Sequence, residues 1–257
     1  MNAVALSKVE KTYYAGQGDV HALGPVSLAI RAGETLAVVG PSGCGKSTLL
    51  RIIAGLDDAT GGSVRVADRE VTAPIPDVGI VFQRDLLLDW RTVIDNVLLP
   101  AELQKRIDRP TAVKRAEALL EELGVAEFAK RYPWELSGGM RQRVAIARAM
   151  LCKPAMLFLD EPFSALDALT RDQMNVILQG VQAGQGVTTL LITHSIQEAV
   201  FLSDRVVVMS GRPGTVLDDI PVHFPRPRRL SLREGPQFVD IARRIRVHFE
   251  RAGVLVG

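Results

Sequence analysis

The feature that most constrains this chain is the run Gly40-Pro41-Ser42-Gly43-Cys44-Gly45-Lys46-Ser47-Thr48. It follows TLAVV, Thr35 to Val39, which reads as a buried strand, and it precedes TLLRIIAGL, which reads as a helix. Gly, any four residues, then Gly-Lys-Ser leaves the backbone few options between those two elements. The glycines let the chain curl until its amides point at one spot, and the helix that follows adds the positive end of its dipole. A phosphate group suits that spot. Lys46 is placed to reach the terminal phosphates of a nucleotide, and the Ser47 hydroxyl to ligate Mg²⁺. Residues 40–48 are therefore expected to bind a nucleoside triphosphate. The loop alone does not say what work the nucleotide drives, because kinases, GTPases and many motors share it.

With 257 residues and 47% hydrophobic content, the chain has material for one large core. Its 31 basic and 29 acidic side chains leave a net charge of +2, which makes no electrostatic case for nucleic acid. Cys44 and Cys152 cannot form a disulfide framework, so a reducing cytosol is the expected compartment. The opening MNAVALSKVEK lacks the features of a signal peptide, and no stretch approaches the roughly 18 apolar residues of a membrane span. For any transport role, another polypeptide is expected to supply the pore.

The chain order points to an α/β fold. Strands are expected at Ser27 to Ile30, Thr35 to Val39 and Ser63 to Val66, then at Met156 to Leu159, Thr188 to Thr193 and Arg205 to Met209. Between the two groups, from about residue 86 to 150, the texture turns helical, as in RPTAVKRAEALLEELGV with its early proline and closing Gly124. A further helix is expected from Asp167 to Gln182. The pattern predicts a mostly parallel sheet with crossover helices, a β-rich N-terminal part and an inserted helical subdomain. Residues 1–220 would form the main domain. Residues 221–257 would be a tail, opening PVHFPRPRR and closing in an amphipathic helix from Pro236 whose face of Phe238, Ile241, Ile245 and Phe249 docks on the core.

Two further motifs carry chemistry. Met156-Leu-Phe-Leu-Asp160-Glu161 puts two carboxylates at the end of a hydrophobic strand, where a parallel sheet opens its ligand crevice. Asp160 is suited to hold Mg²⁺, and Glu161 to polarise an attacking water as general base. Leu136-Ser137-Gly138-Gly139-Met140-Arg141-Gln142-Arg143 opens a helix, with Ser137 as its cap and two glycines that let an anion approach the amides.

LSGGM followed by RQRVAIARAM, upstream of a carboxylate-bearing strand, resembles the signature motif of ABC ATPases. The resemblance runs from about Val4 to Val222 and implies a P-loop NTPase (RecA-like) core. It implies further roles residue by residue. Gln83 in VFQRD matches the glutamine that senses Mg²⁺ and the attacking water. Ser164-Ala165-Leu166-Asp167 matches the loop that communicates between paired subunits, and His194 the switch histidine near the γ-phosphate. Tyr13 matches the aromatic that stacks on adenine, with Tyr14 the alternative one residue on. Met140 departs from the glutamine common in the family, at a position where only helix packing should differ.

The resemblance also implies that two ATPase subunits, two copies of this chain or this chain and a close paralogue, pair head to tail, each ATP lying between one subunit's phosphate loop and the other's Ser137-Gly138-Gly139. Catalysis would rest on Glu161, His194, Gln83 and Lys46, and Mg²⁺ on Ser47, Gln83 and Asp160. The strings FQRDLLLDWRTV, DEPFSALDALTRDQM and ITHSIQEAVFLSDRVVVMSGRPG look most like ATPases of bacterial nitrate, sulfonate and taurine importers. Such a subunit would sit at the cytoplasmic face of the inner membrane. It would act on integral-membrane permease subunits, serve a periplasmic solute-binding protein indirectly, and receive a permease helix against the stretch that holds Leu86, Leu87, Leu88 and Trp90. An exporter or lipoprotein-release ATPase is the competing reading, followed by a non-transport ABC ATPase.

Overall fold

The computed structural model describes residues 2–14, 16, 18–183 and 186–251. Residues 252–257 of the expected tail lie outside them. In chain order the elements are β1 (Asn2–Tyr13), β2 (Val20–Arg31), β3 (Thr35–Val39), α1 (Lys46–Ile53), β4 (Gly61–Val66), β5 (Arg69–Glu70) and β6 (Val78–Val81). Then come α2 (Val93–Gln104), α3 (Arg109–Glu122), α4 (Gly138–Met150), β7 (Met156–Asp160) and α5 (Ala168–Ala183). The series closes with β8 (Thr188–Thr193), α6 (Ile196–Leu202), β9 (Arg205–Met209), β10 (Val216–Pro221) and α7 (Pro236–Arg251). The chain divides into two compact units, residues 1–76 with 188–257, and residues 77–187.

In the first unit, β2, β1, β4 and β5 form an antiparallel sheet in that order. A second group runs β10, β9, β3, β8, with β3 parallel to both neighbours and β10 antiparallel at the edge. All five residues of β3 are buried, as a strand covered on both faces requires. Its last residue, Val39, pairs with Thr193 of β8 and Val208 of β9. The same edge therefore carries the start of the phosphate loop and His194.

Helix α7 docks on α6 and buries Phe238, Ile245 and Phe249, while Ile241 is half-buried. The Phe238 ring lies 6.2 Å from that of Phe224. Asp218 of β10 then clamps the helix. Arg244 donates to both its carboxylate oxygens, at 2.8 and 2.7 Å, and His248 Nε2 lies at 2.9 Å. The tail is thus held on the first unit by an apolar face and an ionic clasp.

The second unit pairs β6 with β7 in parallel and packs α2, α3 and α4 together. A Cβ on Gly79 of β6 would lie 2.5 Å from the Ala149 carbonyl, so only glycine lets α4 sit this close to the strand. Helices α2, α3 and α4 are preceded by β6 and followed by β7 and α5 within the same unit. The α/β architecture and its parallel pairing agree with the sequence. β1, β6 and β10 were not anticipated, and β2 begins seven residues before the expected Ser27. Gly24 and Pro25 interrupt the apolar pattern there. β2 lies at the edge of its sheet, where a missing N–H is tolerated.

Candidate nucleotide-binding site

In the first unit the phosphate loop leaves β3 and turns into α1. Gly45, at φ 100°, precedes the helix, and among the described residues no side chain caps its first turn. The start of a helix, with its amides and the positive end of its dipole, is a natural seat for an anion. A Cβ on Gly45 would lie 2.7 Å from the Ala22 carbonyl, and Gly43 sits at φ 76°. Lys46 is buried and donates to the carbonyls of Gly40 at 2.8 Å and Pro41 at 2.9 Å. Its ammonium therefore rests inside the loop on backbone oxygens, a cation that phosphate oxygens could engage in their place.

Tyr13 ends β1 and Tyr14 follows it. The Tyr13 hydroxyl donates to Asp57 at 2.7 Å and lies 3.4 Å from the Thr48 hydroxyl, so the ring is fixed beside the end of the phosphate loop. Lys11 bonds the same Asp57 at 2.6 Å and lies 4.8 Å from the Tyr13 ring centre. Burial pushes the Asp57 carboxyl up, yet the hydrogen bonds from Lys11 and Tyr13 outweigh it and leave the pKa below the usual value. Tyr14 is 76% exposed. Of the two aromatics, the structure ties only Tyr13 to the loop.

His194 is exposed at the end of β8. The turn behind it is locked. Thr193 donates to Glu198 at 3.0 Å and accepts from the Ser195 amide at 3.0 Å, while Ser195 caps α6 through the Glu198 amide.

In the second unit β7 is buried throughout and ends on Asp160, which is 5% exposed. Glu161 follows at φ 47°, a left-handed conformation that costs a residue with a side chain on the order of 1–3 kcal/mol. Strain at that place redirects the chain immediately after the two carboxylates. Val81, the last residue of β6, pairs with Leu159 of β7, and Gln83 follows two residues on. Gln83 Nε2 lies 3.4 Å from the Ser164 hydroxyl, joining two of the expected motif segments. Asp167 accepts from the Thr170 amide at 3.0 Å, a backbone bond that lowers its carboxyl pKa.

Ser137 caps α4, accepting from the Met140 amide at 3.3 Å. The two glycines after it differ. Gly138 is exposed and a Cβ there would lie 4.0 Å from Arg141 Nη2, an ordinary contact, whereas a Cβ on Gly139 would lie 2.9 Å from the Thr170 side chain. Gly139 permits close packing against α5, and the open approach to the helix end belongs to Ser137 and Gly138.

Several supporting residues had escaped the sequence reading. Arg141 donates to Asp85 at 3.0 Å, and Arg148 to the carbonyls of Asp85 at 2.6 Å and Leu86 at 2.7 Å, tying α4 to the segment after Gln83. Asn96, fully buried, holds residues 88–92 through the amide of Leu88 and the carbonyls of Leu88, Arg91 and Thr92.

The donors expected for Mg²⁺, Ser47, Gln83 and Asp160, are all oxygen ligands, the set a hard cation of that kind takes. The family model for the ABC transporter matches residues 23–164, from β2 to the turn after β7. The chain belongs to the ABC transporter family. It is 44% identical over 231 residues to the taurine import ATP-binding protein TauB of Escherichia coli (strain K12), across 88% of this chain and 90% of that protein. It is 45% identical over 232 residues to the nitrate import ATP-binding protein NrtC of Synechococcus elongatus, across 88% of this chain and 35% of that longer protein. The dimeric post-hydrolysis structure of the ATP-binding cassette MJ0796, bound to ADP and Pi, matches with TM-score 0.77 and 33% identity, over 86% of this chain and all of that one. The ABC protein described here has the P-loop NTPase fold and is an ATP-hydrolysing transport ATPase that uses ATP and Mg²⁺.

Proposed function

We propose that the chain is the ATPase subunit of a bacterial importer for a small anion or zwitterion of the nitrate, sulfonate or taurine type. It works at the cytoplasmic face of the inner membrane, on separate permease subunits, as a pair of ATPase copies. The observation that carries this reading is the presence of two anion-directed helix N-termini, at α1 and at α4, each preceded by glycine or a capping serine. One copy's α1 end would hold the phosphates, and the other copy's Ser137 and Gly138 would close on the γ-phosphate. Likeness to the taurine and nitrate import proteins supplies the direction of transport. Among the described residues no helix is long and apolar enough to cross a membrane.

Within each copy Gly40 to Thr48 cradle the phosphates through backbone amides, and Lys46 swings from the carbonyls of Gly40 and Pro41 to phosphate oxygens. Tyr13 stacks on adenine, its hydroxyl anchored on Asp57. Mg²⁺, when bound, would neutralise charge on the phosphates, and Ser47, Asp160 and Gln83 would hold it. Glu161 orients the attacking water and accepts its proton, and His194 steadies the γ-phosphate.

The permease would meet the second unit at Leu86, Trp90, Tyr132 and Trp134, all exposed. The rings of Tyr132 and Trp134 stack at 4.6 Å. The amides of Val93 and Ile94 bond the carbonyls of Arg131 and Ala129, which brings the two exposed segments side by side. Reconstitution with a candidate permease and solute-binding protein of a taurine or nitrate importer tests the assignment. The reading expects ATP-dependent uptake of labelled taurine or nitrate into the liposomes; ATP-driven movement in the opposite direction would refute it.

A further inference from the structure

The loop between β9 and β10, Ser210 to Thr215, is braced on every side. The Ser210 hydroxyl meets the Pro213 carbonyl at 3.1 Å and the Thr215 hydroxyl at 2.9 Å, and it accepts from the Thr215 amide at 2.8 Å. Gly214 donates to Ala22 at 3.1 Å and accepts from Gly24 at 3.0 Å. A Cβ on Gly214 would lie 2.0 Å from the Cys44 carbonyl, so this strap lies directly against the phosphate loop. From it the exposed Arg212 sends Nε to within 3.3 Å of the Gly43 carbonyl.

A trans peptide points its C=O and its N–H to opposite sides. Holding the Gly43 carbonyl outward on a guanidinium therefore turns the Cys44 N–H inward. That N–H donates to the Pro41 carbonyl at 3.3 Å, the same oxygen that receives Lys46 Nζ at 2.9 Å. Two donors thus converge on one oxygen inside the loop. We propose that Arg212 is a positioning residue for nucleotide binding, acting through the Gly43–Cys44 peptide to keep the Cys44 amide aimed where a phosphate oxygen joins the Lys46 ammonium. The cationic donor also polarises that peptide and strengthens its N–H. The inference rests on the phosphate-binding reading of residues 40–48.

The test is ATP and ADP binding by the full chain, measured by calorimetry, beside melting temperatures without nucleotide. Arg212→Ala should bind both nucleotides roughly three- to tenfold more weakly, the effect of losing one charge-assisted hydrogen bond. Its nucleotide-free melting temperature should not change. Arg212→Lys, which keeps charge and donor, should recover affinity to within about twofold, and Arg212→Glu should bind more weakly than the alanine variant. Unchanged affinity in Arg212→Ala and Arg212→Glu overturns the proposal. If Arg212→Ala melts lower, the lysine variant decides: recovered affinity supports the role, and loss equal to alanine overturns it. Lys46→Ala serves as the control, since normal ATP binding there would sink the reading of the loop itself rather than the role of Arg212.

Discussion

Replacing Arg228 with methionine should be among the most damaging single changes in the first unit, although the residue lies in the tail and far from any motif. Arg228 is 4% exposed, and its guanidinium closes the C-terminal end of α6. Nη1 donates to the carbonyls of Val200, Phe201 and Ser203 at 3.1, 3.0 and 2.8 Å, while Nε and Nη2 bond the Phe224 carbonyl. Helix ends leave their last carbonyls without intrahelical partners, and a planar cation with five N–H groups satisfies several at once. Burial pulls the Arg228 pKa down to about 10, helped by the nearby Arg226 charge, so the side chain stays protonated at neutral pH. Methionine conserves the buried volume and strands three helix-end carbonyls. At about 1–3 kcal/mol each, and less than additive, the loss comes to roughly 3–5 kcal/mol. For a protein of this size that lowers the melting temperature by roughly 6–20 °C. Arg228→Lys should recover only part, because an ammonium cannot reach both sides of the fork. Scanning calorimetry or thermal circular dichroism reads the result, with exposed Arg229→Met as control. A shift below about 2 °C for Arg228→Met would refute the capping role.

Phe238→Ala removes a buried ring from the face that docks α7 and should cost about 3–5 kcal/mol, visible as a lower urea midpoint; a midpoint like that of the unsubstituted chain would mean that the tail is not docked. Burial raises the Asp218 pKa, but the hydrogen bonds from Arg244 and His248 outweigh it and hold the carboxyl below its ordinary value. A carboxylate depressed in the folded state contributes stability above the unfolded value near 4 and loses it as pH falls through the folded value. Asp218→Asn should therefore be less stable than the unsubstituted chain at pH 7, with the gap closing toward pH 3 in urea titrations. A gap that stays constant with pH would contradict the clasp.

How much of this was legible in the sequence followed physical lines. TLAVV, MLFL, TTLLIT and RVVVM are continuous apolar runs because both faces of those strands are covered, and each appears where it was read. β1 was hidden because its pairing with β2 is bulged at several places, which breaks the alternation a half-buried strand should display. β10 was hidden because Asp218 and Asp219 sit in it for a purpose other than burial: they pair with Arg244 and Arg205 across the fold. The motif residues declared themselves through fixed spacing. Asp57 under Tyr13, Arg148 behind the Gln83 segment and Arg228 at the end of α6 did not, since each acts on a partner at least 25 residues away and no local pattern marks it. The tail gave a mixed result: its amphipathic face was readable, and the arginine that fastens it was seen only as composition.

The central claim is that two copies of this chain close on ATP and that Glu161 then drives hydrolysis. Its most direct test is the Glu161→Gln variant, assayed with ATP and Mg²⁺ by light scattering after gel filtration and by phosphate release. The account predicts a stable ATP-bound dimer whose turnover falls by roughly 100-fold or more, the range of a lost general base. Hydrolysis at the unsubstituted rate, or a variant that binds ATP and remains monomeric, would contradict it.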